Sequence, residues 1–260
     1  MCSRANGQPS ANRLLGSLPA AEYQRLLQCL HRVSLPFGEV IADASERLSM
    51  AYFPTTCVVS LGCGMRDGAT SEVGLIGNDG MFGVAIALGS SRAATSAIVG
   101  LSGEAYRLDA QALRNEIARG GDFHRLLLRY ADSLITQTAL TAACICAHNL
   151  EKRFCRWLLL VRDRGTSDEL PLTQDFIARL LGGRRETVTV AAGRLQDAGL
   201  IRYSRGRITI IDRIGLEKAS CECYWSLREE YGRIFDTDGP KRAPRRFELV
   251  QRTLADRVVC

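Results

Sequence analysis

The chain has 260 residues, of which 46% are hydrophobic and 24% are charged. This length exceeds the usual size of one domain and predicts two domains with a connecting element, and the composition excludes an intrinsically disordered protein. The formal net charge of +6 is a mild excess, which indicates a nucleic-acid partner only where the basic residues cluster.

The N-terminal segment gives no sign of export or of a membrane anchor. Residues 1–12 are small and polar, without an apolar run of signal-peptide length. No segment approaches the ~20 apolar residues that span a bilayer. We therefore expect a cytoplasmic protein with no membrane partner, in which most of the ten cysteines are small buried hydrophobes.

The first part of the chain predicts helices and then many short strands. Apolar residues recur at helical spacings over residues 14–33, which predicts an N-terminal helical cover. Over residues 34–107, short apolar runs alternate with Gly, Asn and Asp turns. This pattern is typical of an antiparallel β-roll, so we interpret residues 13–119 as a sensor domain.

A long helix follows. Asp109 can cap a helix over residues 110–119, and after two glycines a longer helix runs from Asp122 to about Ala147. Along it a stripe recurs at alternating steps of four and three, the spacing of a coiled-coil seam. The stripe consists of Leu127, Ala131, Leu134, Thr138, Thr141, Ile145 and His148. It predicts that residues 120–148 pair two copies into a homodimer; packing on the chain's own β-roll is the alternative.

The most specific pattern lies between Leu170 and Ile211. Thr173 can cap a helix over residues 174–181, two glycines break it, and a second helix covers residues 184–198. Alternating residues over 200–211 predict a hairpin with a basic tip. Together these elements predict a winged helix-turn-helix within a domain of residues 149–235, with one further helix over residues 213–235.

Arginines converge on this module, at positions 184, 185, 194, 202, 205 and 207. A lone arginine would be a solvated surface charge, but this density favours DNA, because guanidiniums and helix-terminal amides bind phosphate while side chains just inside the helix reach base edges. The predicted DNA-binding residues are Thr173, Gln174, Arg184, Arg185, Glu186, Thr187, Thr189, Val190, Arg194 and Arg205.

A motif is formed by the runs Thr173–Ala178, Arg185–Val188 and Gly199–Ile201, together with Gly182 and Leu195. This motif resembles the DNA-binding domain of the Crp/Fnr family of bacterial regulators. The resemblance implies an α+β fold with an N-terminal β-roll (a cyclic-nucleotide-binding-like double-stranded β-helix), a long dimerisation helix and a C-terminal winged helix-turn-helix. It also implies a homodimer on a two-fold operator in double-stranded DNA, with RNA polymerase as a further candidate partner.

By position, Arg185, Glu186, Thr189 and Val190 occupy the base-contacting places of the family's recognition helix. Family members commonly have arginine where this chain has Val190, so the resemblance implies an operator that departs from the usual half-site. An apolar contact from Val190 to a thymine methyl group is one way to read a base there.

Family members that bind cyclic AMP have, in the β-roll, Gly-Glu followed after a short loop by Arg-Ser or Arg-Thr. The corresponding residues here are Gly83, Val84, Arg92 and Ala93, and Thr138 on the long helix completes the candidate effector pocket. The carboxylate and the hydroxyl are missing, and a ligand left with unpaired polar groups loses on the order of 1 to 3 kcal/mol per group. The effector is therefore unknown, and we do not expect it to be cyclic AMP.

The cysteines do not match the family's iron–sulfur branch, because Cys2 and Cys29 are too far apart for a closely spaced cluster. Two cysteine pairs remain, Cys144 with Cys146 and Cys221 with Cys223. Either pair could ligate a metal only with further ligands, and positions i and i+2 of a helix point to different sides. We interpret the pairs as buried packing residues, predict no metal site, and leave a redox role open.

Nothing in the sequence predicts an enzyme. His31, His124 and His148 have no evident nucleophile or carboxylate partner, and no phosphate-cradling loop occurs. The alternative function is a ligand-binding regulatory or scaffold protein that uses its winged helix for protein contact. The tail, residues 236–260, is basic and contains prolines, so we expect it to be flexible and to add nonspecific phosphate affinity.

Overall fold

The computed structural model of the chain describes residues 8–66, 70–165 and 167–236. The predicted flexible basic tail lies outside the described residues, apart from Asp236. Within the described ranges, no helix is long and apolar enough to cross a membrane.

The first half of the fold is an antiparallel β-roll, as predicted. Its strands are β1 (His31–Leu35), β2 (Val40–Ala42), β3 (Met50–Pro54), β4 (Val58–Gly64), β5 (Thr70–Ile76), β6 (Ser96–Leu101) and β7 (Gly103–Asp109). One sheet has the strand order β1-β7-β3, and the other has the order β2-β6-β4-β5. All pairings are antiparallel, so each sheet can bury one face and solvate the other.

Four helices accompany the roll: α1 (Arg13–Gly16), α2 (Ala20–Leu27), α3 (Ala110–Ala118) and α4 (Asp122–Ala147). The predicted helical cover over residues 14–33 ends too late, because α2 stops at Leu27 and His31 already pairs with Arg107 in the sheet. The helices close one hydrophobic core with the strands, in which Leu14, Phe53 and Phe123 are fully buried.

The starts of α3 and α4 are capped in different ways. The Asp109 side chain accepts hydrogen bonds from the backbone N–H groups of residues 111 and 112, as predicted. Helix α4 begins after Gly121, which has no side chain to cap it. Instead, the Glu22 carboxylate on α2 accepts from the backbone N–H groups of Asp122 and Phe123 at 3.0 and 2.8 Å. A distant carboxylate therefore supplies the cap and places a negative charge at the positive end of the helix.

The predicted dimer seam on α4 is wrong for the residues that face the chain's own β-roll. Leu127, Ala131 and Thr141 are buried within their own chain, and Leu134 packs against the β-roll core. Leu128, Ile135 and Ala142, each one position after a predicted member, are exposed instead, and the predicted members Thr138 and Ile145 are exposed as well. These five residues form the outer stripe of α4.

The second half of the fold is built around α5 (Leu150–Arg164). It contains α6 (Gln174–Leu181), α7 (Arg185–Asp197), α8 (Arg213–Ala219), α9 (Cys223–Arg233) and a sheet of β8 (Glu169–Leu170), β9 (Ile201–Ser204) and β10 (Arg207–Ile210) in the order β8-β10-β9. The single helix predicted over residues 213–235 is two helices, because the chain turns extended at Ser220, the C-cap of α8.

Polar contacts from α5 join the two halves. Arg164 is buried and its Nε pairs with the Asp79 carboxylate at 3.0 Å, in the turn that follows β5. Gly77 in the same turn passes so close to Arg164 that an added Cβ would lie 2.3 Å from the arginine Cβ. Two turns earlier on α5, the Trp157 indole donates to the Glu72 carboxylate of β5 at 3.1 Å.

Glu72 is an acid held in a buried site. Its Oε2 also accepts from the Ser60 hydroxyl at 2.7 Å. Burial raises the pKa of Glu72 from 4.5 to about 7, against the opposing effects of the two hydrogen bonds and of the positive charges of Arg156 and Arg164. The folded state therefore holds a proton that the unfolded state has released between about pH 4.5 and 7, and stability falls as the pH rises through this window.

We predict that Glu72→Gln removes this pH dependence. Glutamine can still accept hydrogen bonds from Ser60 and Trp157 but cannot ionise. Between pH 4.5 and about 8, the free energy of unfolding of the wild type should therefore fall by about 1 to 3 kcal/mol more than that of the variant. Urea denaturation across this range measures the difference, with the exposed Glu39→Gln as the matched control. Parallel curves for wild type and Glu72→Gln would contradict the assignment.

Candidate DNA-binding surface

Thr173 and Gln174 begin the first helix of the helix-turn-helix. The Thr173 hydroxyl accepts from the backbone N–H of Phe176 at 3.2 Å, so Thr173 is the N-cap of α6. The Oε1 of Gln174 lies 2.9 Å from the Thr189 hydroxyl on α7, and the Arg185 carbonyl lies 3.0 Å from the same hydroxyl. These polar contacts set the position of α7 relative to α6.

The turn between α6 and α7 depends on two glycines. Gly182 ends α6 with φ at +60°, in the left-handed region that favours glycine. An added Cβ on Gly183 would lie 2.5 Å from the Cδ1 of Leu150, at the start of α5. The close approach of this turn to α5 fixes the helix-turn-helix against the rest of the second half.

Helix α7 separates a buried side from an exposed side, as predicted. Val188, Ala191, Ala192 and Leu195 are buried in the second core cluster. The predicted DNA-contacting positions Arg184, Arg185, Glu186, Thr187, Thr189 and Arg194 are all exposed, and Val190 is 54% exposed. Arg184 is the N-cap residue, so the free amides at the positive end of α7 lie beside two arginines.

Two of these arginines have acidic neighbours. The Arg185 guanidinium lies 3.5 Å from the Asp175 carboxylate of α6, and that of Arg194 lies 3.4 Å from the Glu151 carboxylate of α5. All four side chains are at least a third exposed, so the pairs contribute little stability and are screened by salt. Both arginines can therefore exchange their carboxylate for a phosphate or a base at small cost.

The hairpin of β9 and β10 forms the wing. Arg205 at its tip has φ at +50° and Gly206 has φ at +74°, the left-handed pair of a tight hairpin turn. Arg205 is exposed, and Arg207 forms a 2.6 Å ion pair with Glu169 of β8. The wing tip therefore presents a cation on a turn whose backbone geometry is fixed by the sheet.

A groove of about 380 Å³ runs between α7 and the start of α5. It is lined by Asn149, Leu150, Glu151, Glu186, Thr187, Val190, Ala191 and Arg194. Part of the exposed face of α7 therefore looks onto the junction of α4 with α5, so a change at that junction alters the surroundings of Glu186 and Val190.

The candidate effector residues differ in burial and in what they contact. Gly83, with φ at +95°, starts a short 3-10 turn in which Val84 is buried, and Ala93 is also buried. Both side chains belong to the β-roll core. Arg92 is exposed and donates to the Ser45 carbonyl at 2.7 Å. Thr138 is exposed and donates back to Leu134 on its own helix at 3.0 Å.

Sequence reasoning missed one group of side chains. Cys144, His148, Cys221 and Cys223 lie together, with their ligand atoms all within 4.8 Å of one another. The premise that each cysteine pair lies on one helix is wrong for the second pair, because α9 begins at Cys223 and Cys221 precedes it. Cys146 is exposed and is not a member of the group. The only sequence signal was the presence of two pairs and a neighbouring histidine.

Comparison with known proteins agrees with this geometry. Residues 152–219 match the family of the Crp-like helix-turn-helix domain. The "CRP-like cAMP-activated global transcriptional regulator" of Mycobacterium tuberculosis is 26% identical over 194 residues, which cover 72% of this chain and 87% of that protein. The second half of the chain therefore contains a Crp-like helix-turn-helix domain, and most of the chain is similar to a Crp-like transcriptional regulator.

Solved structures of bacterial regulators share the fold of this chain. FixK2 from Bradyrhizobium japonicum matches with a TM-score of 0.63 at 16% identity, over 74% of this chain and 98% of FixK2. A Crp/Fnr transcriptional regulator from Thermus thermophilus matches with a TM-score of 0.54 at 22% identity, over 73% and 98% of the two chains. The β-roll and winged helix-turn-helix are thus the family fold, and the chain is a Crp/Fnr-type transcription regulator with a helix-turn-helix DNA-binding domain.

We predict that Thr173→Ala costs about 1 kcal/mol of the free energy of unfolding, because it removes the acceptor for the Phe176 N–H, and that Thr173→Ser retains most of it. Urea denaturation of the three proteins measures the effect. Equal midpoints for wild type and Thr173→Ala would show that Thr173 does not act as the cap of α6.

Proposed function

We propose that the chain is a sequence-specific DNA-binding regulator that acts as a homodimer on a two-fold operator. In this proposal residues 13–119 sense a signal, residues 120–148 dimerise and residues 149–235 bind DNA. Because its target is chromosomal DNA, we place its activity in the cytoplasm. The regulator itself needs no catalytic residues, and RNA polymerase is a candidate partner at the promoter.

The main support for the proposal is helix α7. Its start is exposed and rich in arginine, while the opposite side of the helix is buried and apolar. Arg184 and Arg185 lie where helix-terminal amides also point outward, which is the arrangement that binds phosphate. Glu186 and Val190 follow at positions that reach base edges when such a helix enters the major groove. A wing with Arg205 at its tip extends the cationic surface, which a protein-binding winged helix would not require.

We predict that selection from a random DNA pool by the purified protein enriches a two-fold motif, and that the double variant Arg185→Ala/Glu186→Ala loses it. The affinity for the motif should fall with salt at a log–log slope of about 0.9 per phosphate contacted. Arg114→Ala, at an exposed arginine on α3, is the control and should keep the motif. Failure to enrich a motif, together with salt-indifferent binding, would favour the protein-contact alternative.

A further variant, Val190→Arg, tests whether position 190 contacts a base. Arginine at that position can form a bidentate contact to guanine, so the variant should change the preferred base at one position of each half-site and leave the others. A uniform change in affinity across all sequences would mean that position 190 contacts phosphate or nothing.

Dimerisation is proposed through the outer stripe of α4. Leu128, Ile135 and Ala142 follow one another at steps of seven, as do Thr138 and Ile145, so two α4 helices can pack these residues along one seam. Ile135 is 66% exposed and Leu128 is 45% exposed in the single chain. Exposed apolar residues in such a regular row mark a protein interface, and a two-fold axis between the helices presents the same row on both sides.

We predict that Ile135→Glu weakens dimerisation on the order of 100-fold, because a two-fold interface buries the new carboxylate twice. Sedimentation equilibrium measures the dissociation constant. Ile214→Glu is the matched control, since Ile214 on α8 is 65% exposed and does not lie on the stripe. An Ile135→Glu variant that dimerises like the wild type would exclude the outer stripe as the interface.

The signal is proposed to differ from cyclic AMP, although the curated relative is described as cAMP-activated. The position expected to bind the ribose hydroxyls carries the buried Val84, and the neighbour of Arg92 is the buried Ala93. Arg92 itself is engaged by the Ser45 carbonyl. A nucleotide would therefore lack partners for its diol and for part of its phosphate.

A further inference from the structure

Side chains from two distant parts of the chain meet behind the junction of α4 and α5. Cys144 lies in the last turn of α4 and His148 is its C-cap, while Cys221 lies between α8 and α9 and Cys223 begins α9. Their three sulfurs and an imidazole nitrogen all lie within 4.8 Å of one another. We propose that these four residues form a tetrahedral site for a single zinc ion.

Two distances within the group fit a single ion. The sulfurs of Cys144 and Cys221 are 3.5 Å apart, and the Cys223 sulfur is 3.8 Å from Nδ1 of His148. Zn–S bonds of about 2.3 Å and a Zn–N bond of about 2.0 Å at the tetrahedral angle place ligand atoms roughly 3.5 to 3.8 Å apart. Soft thiolates with an imidazole select zinc over the hard cations, which prefer oxygen. A cluster of several irons would require its thiolates to lie further apart.

Glu222 orients the histidine for this role. Its carboxylate oxygen lies 3.2 Å from Nε2 of His148, so Nε2–H can donate to it and leave the lone pair of Nδ1 facing the sulfurs. Histidines that bind metals regularly donate their other ring N–H to a carboxylate, which fixes the tautomer and the ring. Glu222 is thus a positioning residue that acts through His148.

A buried cation nearby matches the charge that the site would carry. Arg156 is only 4% exposed, and within the described residues no carboxylate lies at ion-pair distance from it and its Nε has no hydrogen-bond partner. Its Nη1 lies 3.5 Å from the hydroxyl of Thr141, which is one turn before Cys144 on α4. Three thiolates, a neutral imidazole and Zn²⁺ carry a net charge of about −1, which adds to the compensation that Glu72 gives this buried guanidinium.

The site is closed. Cys144, Cys221 and Cys223 are at most 6% exposed, and the His148 side chain is 13% exposed. Four protein ligands leave no open position for substrate, which is the form of a structural zinc site. The bound ion would tie the end of α4 to the start of α9, across the junction that faces the groove beside α7.

The test is metal analysis of the full chain, purified under reducing conditions without chelator after growth with zinc. We expect about one zinc ion per chain, with three sulfurs at about 2.3 Å and one nitrogen at about 2.0 Å by X-ray absorption. Cys144→Ser and Cys223→Ser should each retain less than about a tenth of that zinc. Cys146→Ser is the matched control, because Cys146 is exposed and lies two residues from Cys144, and it should bind zinc like the wild type.

Because the cysteine variants could fail to fold, Glu222→Gln supplies a second measurement. It should weaken the affinity for Co²⁺, followed by the visible absorption of tetrahedral thiolate cobalt, by about 10- to 100-fold without changing the ligand set. Glu229→Gln, at an exposed glutamate on the same helix, should leave the affinity unchanged.

Three results would overturn the proposal: wild-type protein that neither contains zinc nor binds Co²⁺, a Cys144–Cys221 disulfide in the freshly isolated protein, or iron with acid-labile sulfide at these cysteines. None of these readouts involves DNA, so the zinc site and the proposed regulatory function can fail separately.

Discussion

The burial of α5 on all sides is the constraint on which the rest of the structure depends. The run from Phe154 to Val161 is buried over its whole length, so the helix must be covered both by the β-roll and by the winged helix. A helix covered on every side holds its polar groups in a dry environment, where a hydrogen-bond or ion-pair partner lowers the cost of burial. Trp157 finds Glu72, and Arg164 finds Asp79.

These partners tie the winged-helix half of the chain to the β-roll half. Replacing either member of the buried Arg164–Asp79 pair would leave an uncompensated charge in a dry environment. The Tyr231 ring on α9 stacks 4.4 Å from the same guanidinium, so three elements converge on one cation. The orientation of the winged helix against its β-roll is thereby specified by polar contacts as well as by apolar packing.

The junction of α4 with α5 is where such communication would pass. On one side it faces the groove that contains Glu186 and Val190, and on the other it contains the group of three cysteines and His148. The outer stripe of α4 leads to the same point. A rotation of α4 in a dimer would therefore act on both the recognition surface and the proposed metal site, because rigid helices transmit small shifts to their ends.

The sequence by itself determined the features that local patterns encode. Residue types within one or two turns of each other predict four of these features. They are the cap at Thr173, the two glycines after α6, the buried side of α7 and the bounds of α4. The helix-turn-helix is contiguous, so its motif determined both the local fold and which side of α7 is exposed. The hairpin wing was equally local. Only the tertiary structure decided which face of α4 is inward, because Leu127 and Leu128 are equally apolar and the β-roll alone distinguishes them.

The tertiary structure also decided the cap of α4, which Glu22 supplies from 100 residues away. It likewise decided the raised pKa of Glu72, which depends on burial under Trp157. The meeting of Cys144 with Cys221, 77 residues apart in the chain, has the same physical reason. Burial and ligand geometry depend on contacts between distant segments, and these are not contained in the periodicity of any one segment.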